Sequence, residues 1–120
     1  MSMDKNFERV EVGQRYSEAA IMNGVVYLAG QVPEDASLDI AGQTKDVLRQ
    51  VDFWLEKCGS DKSRILMCQI FLKNITDIGV MNEVWDAWVA AGNAPPRATV
   101  QAALANPDWL IEIVITAAQR

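Results

Sequence analysis

The sequence predicts an α+β fold in which two helices pack against one face of a single sheet. The 120 residues suffice for one domain, which we place at 1–120, and folding at this length buries about two-thirds of the unfolded surface. Two segments carry apolar residues at helical spacing, and β-rich segments lie before, between and after them. This order of strands, helix, strand, helix and strands is typical of an α+β sandwich.

Composition disfavours several classes of function. Half of the residues are apolar, 22% are charged and the net charge is −5, so neither nucleic acid nor a membrane surface is an expected partner. The chain has no histidine, which excludes Ser-His-Asp triads and Cys-His pairs. Cys58 and Cys68 form no CxxC pattern and are expected to be buried thiols. The chain shows neither an apolar leader segment nor an apolar run of about eighteen residues, so we expect a cytoplasmic protein.

Residues 19–29 predict a β-hairpin. Their β-rich sequence is interrupted by Asn23-Gly24, a dipeptide suited to the positive φ angles of a tight turn. The next segment, 39–58, predicts an amphipathic helix because its apolar residues recur at helical spacing. Gly59 stands where the cap at the end of this helix is expected.

The segment 63–73 predicts a strand with two mostly apolar faces. Two helices cover only one face of the sheet, so Ile65, Met67 and Phe71 are expected on the uncovered face. Because an apolar face of that extent normally meets another subunit, we expect a homo-oligomer with contacts through the sheets. Strand alternation places Leu66, Cys68, Ile70 and Leu72 on one face and Ile65, Met67, Gln69 and Phe71 on the other.

A second amphipathic helix is predicted after Asp77, a residue suited to the N-cap position. It ends before Gly92, and the two prolines that follow prevent its continuation. Two further strands, 97–104 and 109–117, are joined by an Ala-Asn-Pro-Asp turn. The apolar face of the helix consists of Met81, Val84, Trp85 and Trp88.

Two charged residues interrupt the apolar pattern of these last strands. Read as a hairpin, the strands pair Gln101 with Glu112 and Arg97 with Thr116, so that these four residues and Thr99 share one face. Arg97 and Glu112 are then separated along the ladder by about 13 Å, at ~3.4 Å per residue. A pocket that uses both charges is therefore expected to need a neighbouring subunit.

Each charge has a structural and a functional interpretation. Arg97 is either a surface arginine at a strand start or an anchor for a small carboxylic acid, because its planar guanidinium matches a carboxylate in two parallel hydrogen bonds. Glu112, flanked by branched apolar residues, is either bonded to Gln101 for structural reasons or placed to exchange protons with a bound water. The residues alone leave both alternatives open.

Most of the chain resembles a known family. The segments YSEAAIMNGVVYLAGQVP and PPRATVQAALANPDWLIEIVITAA, with the first helix between them, resemble the RidA/YjgF family of enamine and imine deaminases over residues 13–120. The most diagnostic part is Arg97 followed fifteen residues later by Glu112 within an IEI strand. The resemblance implies a chorismate-mutase-like fold with one mixed sheet, assembled as a homotrimer with clefts between subunits.

The resemblance also implies roles for individual residues. Arg97 matches the arginine that grips the substrate carboxylate, and Glu112 matches the glutamate near the attacking water. Ala29 stands where well-known members have serine, and Thr99 stands where they often carry cysteine. These departures, with the tryptophans of the WDAW segment, which we expect to serve packing, suggest a divergent branch. The expected substrate-binding residues are Tyr16, Gly30, Asn82 and Thr99.

Two main classes of function are compatible with these residues. In the first, Arg97 holds the carboxylate of a 2-aminoacrylate-type imino acid while water positioned by Glu112 adds to the C=N carbon, and neither metal nor cofactor is needed. The products are a 2-oxo acid and ammonium. In the second, a noncatalytic trimer binds a small 2-oxo or amino acid and modulates a partner. A ribonuclease is a weaker third option because the chain is acidic and lacks histidine.

Overall fold

The computed structural model describes residues 6–120 and contains one mixed six-stranded sheet with two α-helices on one face. The helices are α1 (Ile40–Lys57) and α2 (Ile78–Trp88). The strands are β1 (Phe7–Val12), β2 (Ser17–Met22), β3 (Val25–Leu28), β4 (Ile65–Leu72), β5 (Arg97–Gln101) and β6 (Ile111–Ala118). They lie in the order β1-β2-β3-β6-β4-β5, in which β4 and β5 run parallel and the other neighbours run antiparallel.

The first hairpin and the first helix are confirmed. β2 and β3 pair up to Met22 and Val25, and the two turn residues between them have φ angles of 52° and 80°. α1 begins at the cap residue Asp39, whose carboxylate accepts a 2.8 Å hydrogen bond from the backbone amide of Gly42. The chain leaves α1 through Gly59 at φ 79°, a conformation that favours glycine.

The hydrophobic core lies between the helices and one face of the sheet. The predicted apolar face of α2 is also confirmed, because Met81 and Trp85 are buried and the two other residues of that face pack against the core. Asp77 precedes α2 as expected, but its side chain makes no capping hydrogen bond. Both cysteines are free and buried. Other core residues include Val47, Leu48, Val51 and Leu55 of α1 and Ile111, Ile113 and Ile115 of β6.

The predicted hairpin between the last two strands is wrong. β5 pairs in parallel with β4, to which α2 connects it, and β6 lies between β3 and β4. Glu112 therefore pairs with Phe71 rather than with Gln101, and Arg97 pairs with Cys68. The physical reason is burial: the isoleucines on the helix side of β6 are fully buried, which a central position beneath the helices provides and an edge position does not. A helical crossover is also the usual connection between parallel neighbours.

The predicted faces of β4 need one correction. The pairing of β4 with β6 shifts register between Ile65 and Met67, which is a β-bulge. Because the extra residue reverses the alternation, Ile65 faces the core and is 8% exposed, whereas Leu66 faces outward and is 48% exposed. Met67 and Phe71 do lie on the face that the helices leave open.

The strand β1 has no counterpart in the prediction. It pairs antiparallel with β2 at one edge of the sheet and carries three charged residues, Glu8, Arg9 and Glu11. Within residues 6–120, no helix combines the length and the apolar character needed to cross a membrane.

Candidate functional site

Arg97 begins β5 on the face of the sheet that the helices cover. Its register partner is Cys68, a core residue, so the arginine side chain leaves the strand towards α2. There its guanidinium carbon lies 5.1 Å from the centre of the Trp85 ring. Arg97 is partly buried, and within the described chain its guanidinium makes no ion pair and no hydrogen bond. A partly buried cation without a counter-ion is suited to binding an anion.

Two polar residues accompany this arginine. Thr99 follows Arg97 on the same face of β5, and Asn82 lies one turn before Trp85 on α2. Among the described residues, the Oδ1 atom of Asn82 and the Oγ1 atom of Thr99 are the buried side-chain polar atoms without a hydrogen-bond partner. Buried polar atoms are normally paired, so each of these exceptions needs an explanation, and a bound ligand or water would supply one. We refer to Asn82, Trp85, Arg97 and Thr99 as the arginine cluster.

The thiol nearest to Arg97 is unreactive. Burial raises the pKa of the Cys68 thiol to about 12, and the positive charge of Arg97 opposes that shift only in part. At neutral pH this thiol is protonated and does not act as a nucleophile. The chemistry of the arginine cluster is therefore that of a cation, an amide and a hydroxyl.

Glu112 lies on the opposite face of the sheet, which the helices leave open. It is partly buried beside Gly30: a Cβ atom placed on this glycine would lie 2.0 Å from the Oε2 atom of Glu112. No ion pair or hydrogen bond to the Glu112 carboxylate occurs in the described part of the chain. The predicted structural hydrogen bond between Glu112 and Gln101 is wrong. The side chain of Gln101 instead accepts a 2.9 Å hydrogen bond from the backbone amide of Ile75.

Tyr16 lies at the same end of the sheet as Gly30. It is 65% exposed in the turn between β1 and β2, and its carbonyl accepts a 2.9 Å hydrogen bond from the amide of Gly13. The neighbouring hydrogen bond from the amide of Ala29 to the carbonyl of Glu18 brings the start of β2 beside the end of β3. We refer to Tyr16, Gly30 and Glu112 as the glutamate cluster.

The six predicted site residues therefore divide into two groups within one chain. The prediction that Arg97 and Glu112 share a face is wrong, because β5 pairs with β4 in a register that turns Arg97 towards the helices. β4 also lies between β5, which carries Arg97, and β6, which carries Glu112. These two strands are therefore about 10 Å apart, at ~4.8 Å per strand. A small molecule cannot contact both charged groups of the same chain across the sheet.

One member of the arginine cluster was not predicted to have a role there. Trp85 was expected to serve core or interface packing rather than ligand binding, and it is 5% exposed in the core, but its ring also covers the guanidinium. The sequence signal for this contact was the strand-helix-strand order of β4, α2 and β5, which places α2 over β5. Within residues 6–120, no group of three or more His, Cys, Asp or Glu side chains is arranged to hold a metal ion.

The similarity to known proteins extends over nearly the whole chain. The family model described as Endoribonuclease L-PSP matches residues 7–119. A RutC family protein of Haemophilus ducreyi is 56% identical over 110 residues, which are 92% of this chain and 94% of that protein. A crystal structure of a YjgF family member from Neisseria meningitidis is 49% identical, with a TM-score of 0.91 over 100% of this chain and 98% of that one. The 2-iminobutanoate/2-iminopropanoate deaminase of Rattus norvegicus is 29% identical over 87% of this chain and 80% of that protein.

Proposed function

Because the chain belongs to the RidA/YjgF family, we propose that it hydrolyses small 2-imino acids and their enamine tautomers to 2-oxo acids and ammonium. The observation that carries this proposal is Arg97, a partly buried guanidinium without a protein counter-ion, on the same side of the sheet as two unpaired polar atoms. Such a group recognises a carboxylate. The name of the rat relative, an iminobutanoate and iminopropanoate deaminase, agrees with this substrate class.

In the proposed reaction, Arg97 binds the carboxylate and orients the iminium carbon. Water adds to this carbon while Glu112 accepts one of the water protons, which forms a carbinolamine. Glu112 returns that proton to the nitrogen, and the C–N bond then breaks. The hydroxyl proton is transferred to the departing ammonia, so the products are a 2-oxo acid and ammonium. No side-chain nucleophile is required.

We propose further that two chains build each site. Arg97 and Glu112 lie on opposite faces of one sheet, so a second copy must supply one of them. Arg97 lies in β5 at one edge of the sheet, where a second chain can approach it. The open face next to this edge offers a surface for the contact, because it carries Tyr27, Met67 and Val100 at 49%, 36% and 47% exposure. We expect a trimer, which light scattering would report as about three times the 13.3 kDa of one chain. The cytoplasmic location stays a prediction.

A coupled assay tests the activity. A pyridoxal-phosphate deaminase generates 2-aminoacrylate, and pyruvate formation is measured with and without this protein. We expect acceleration by the wild type and a loss of about 10- to 100-fold in Arg97→Ala, since hydrogen bonds to a charged group are lost. Arg49→Ala is the control, because Arg49 is 61% exposed and forms surface ion pairs. Full activity in Arg97→Ala would contradict the proposed anchor.

Mixing two inactive variants tests the shared site. Arg97→Ala and Glu112→Ala chains are unfolded together and refolded, so that mixed oligomers form. In a mixed trimer one of three sites receives both native residues, and we expect about a quarter of wild-type activity from an equal mixture. No recovery in refolded mixed oligomers would contradict the shared site. If the wild type binds pyruvate without accelerating hydrolysis, the protein is instead a noncatalytic carboxylate-binding module.

A further inference from the structure

The orientation of Arg97 depends on one aromatic side chain. The guanidinium has no hydrogen bond or ion pair among the described residues, and the contact that restrains it is the ring of Trp85, 5.1 Å away. An arginine side chain has many rotamers, so an unrestrained guanidinium would be poorly prepared to receive a ligand. A ring beneath one face restrains the guanidinium plane and leaves the N–H groups in that plane free.

Trp85 also contacts a second aromatic residue of α2. It is 5% exposed, and its ring centre lies 5.3 Å from that of Trp88 at an angle of 50°. The indole Nε1 atom of Trp88 donates a 2.9 Å hydrogen bond to Asp52 of α1. The rings of α2 thus link Asp52 of α1 to the guanidinium on β5.

We propose that Trp85 is a positioning residue that presents Arg97 to the substrate carboxylate. This inference rests on the proposed function for the identity of the ligand. The ring does not touch the reacting atoms; it restricts the guanidinium to a plane in which two N–H groups meet two carboxylate oxygens. The free energy of ordering the arginine is then spent on folding rather than on binding.

The direct test is spectroscopic and uses the wild-type protein. A ring current shifts protons above an indole face upfield, so the Nε–H signal of Arg97, assigned by its loss in Arg97→Lys, is expected upfield of ordinary arginine signals. Replacing Trp85 by Met removes the ring but retains an apolar side chain, and the signal should move to the ordinary position. Trp54→Met is the matched control, since Trp54 packs on α1 against Phe53 and Lys57. An unshifted Arg97 signal in the wild type would overturn the proposal, even if Trp85→Met fails to fold.

Pyruvate binding, followed by NMR titration, tests the consequence for the ligand. We expect Trp85→Met to weaken binding by up to about tenfold, because binding must then order a mobile arginine side chain that the ring no longer restrains. Trp85→Phe retains a smaller ring face and should recover most of that loss, whereas Trp54→Met should bind as the wild type does. Wild-type affinity in a folded Trp85→Met protein would contradict the positioning role.

Kinetics separate this role from general damage to the fold. A loss of carboxylate orientation should raise KM in Trp85→Met more than it lowers kcat, and Trp85→Phe should restore KM. A fall in kcat alone, equal in both variants, would argue against positioning. If the wild type binds pyruvate but shows no deaminase activity, the proposed function fails while the spectroscopic and binding results still decide the role of Trp85.

Discussion

The close contact between Gly30 and Glu112 leads to a quantitative prediction for Gly30→Ala. The new Cβ atom would lie 2.0 Å from Oε2, 2.9 Å from Cδ and 3.3 Å from Cγ of Glu112. The two closest atoms lie at the end of a flexible side chain, so the Glu112 side chain must turn to another rotamer to accommodate the new methyl group. Overpacking of this kind costs about 1–3 kcal/mol. Because Gly30 does not have a positive φ, alanine fits its backbone conformation. Alanine also reduces the conformational entropy of the unfolded chain, which offsets about 0.4–1 kcal/mol of the overpacking cost.

A double-mutant cycle isolates this contact. In the Glu112→Ala background the clashing atoms are absent, and Gly30→Ala should be neutral or stabilising. We therefore expect a coupling free energy of about 1–3 kcal/mol between the two positions. The measurement is the free energy of unfolding in urea at one fixed protein concentration, because association would change the apparent stability.

Gly79→Ala provides the control for the same cycle. Gly79 lies in α2, and a Cβ atom placed there meets nothing within 4 Å. Because Gly79 lies in the first turn of the helix, Gly79→Ala should stabilise the protein through helix propensity by at most about 1 kcal/mol, and by the same amount in both backgrounds. If Gly30→Ala cost the same with and without Glu112, the packing of the carboxylate on this glycine would not be the cause, and the reasoning would be refuted.

Three further predictions concern stability and titration. Asp39→Ala should lower the free energy of unfolding by about 1 kcal/mol because it removes a helix cap, whereas Asp77→Ala, which removes no capping bond, should change it by less than about 0.5 kcal/mol; urea unfolding compares the two. The raised pKa of the Cys68 thiol favours the folded state fully below the ordinary thiol pKa of 9.0, and this contribution should be lost as the pH rises towards about 12. At pH 8 a thiol reagent should label Cys68 only when the protein unfolds. Labelling of the native protein would be inconsistent with the burial of this thiol. Hydrogen bonds from Ser63 hold the pKa of Asp61 below 3.8, so Ser63→Ala should raise that pKa in an NMR titration, and an unchanged value would show that the hydroxyl contributes nothing.

The sequence predicted well those elements that depend on interactions between neighbouring residues. The Asn23-Gly24 turn needs nothing beyond its own backbone preferences, and α1 is defined by its cap residue and its apolar period. The partner strand of β5 depends instead on which strand edge is free once α2 has packed. The Ala-Asn-Pro-Asp turn at 105–108 carries no information about that edge. The bulge beside Leu66 is equally invisible, because both of its neighbouring residues are apolar.

The sequence named candidate site residues, whose roles stay a prediction, but it did not predict their arrangement. The identities of Arg97 and Glu112 follow from charges within apolar strands and from the family resemblance. The hairpin interpretation paired β5 with β6 and placed both residues on one face. Arg97 and Glu112 lie instead on different faces because β5 pairs in parallel with β4. The contact between Trp85 and Arg97 depends on the same pairing, since α2 crosses over β5 only in a strand-helix-strand unit.

The two ends of the sheet bear on how this chain avoids aggregation. Unpaired strand edges can recruit extended segments of other molecules, and proline or charged residues at such edges oppose that recruitment. β5, at one end, has five residues and directly follows Pro95 and Pro96, while β1, at the other, carries Glu8, Arg9 and Glu11. The chain can therefore keep an apolar sheet face open during folding while fibril-like growth through backbone pairing is disfavoured at both ends.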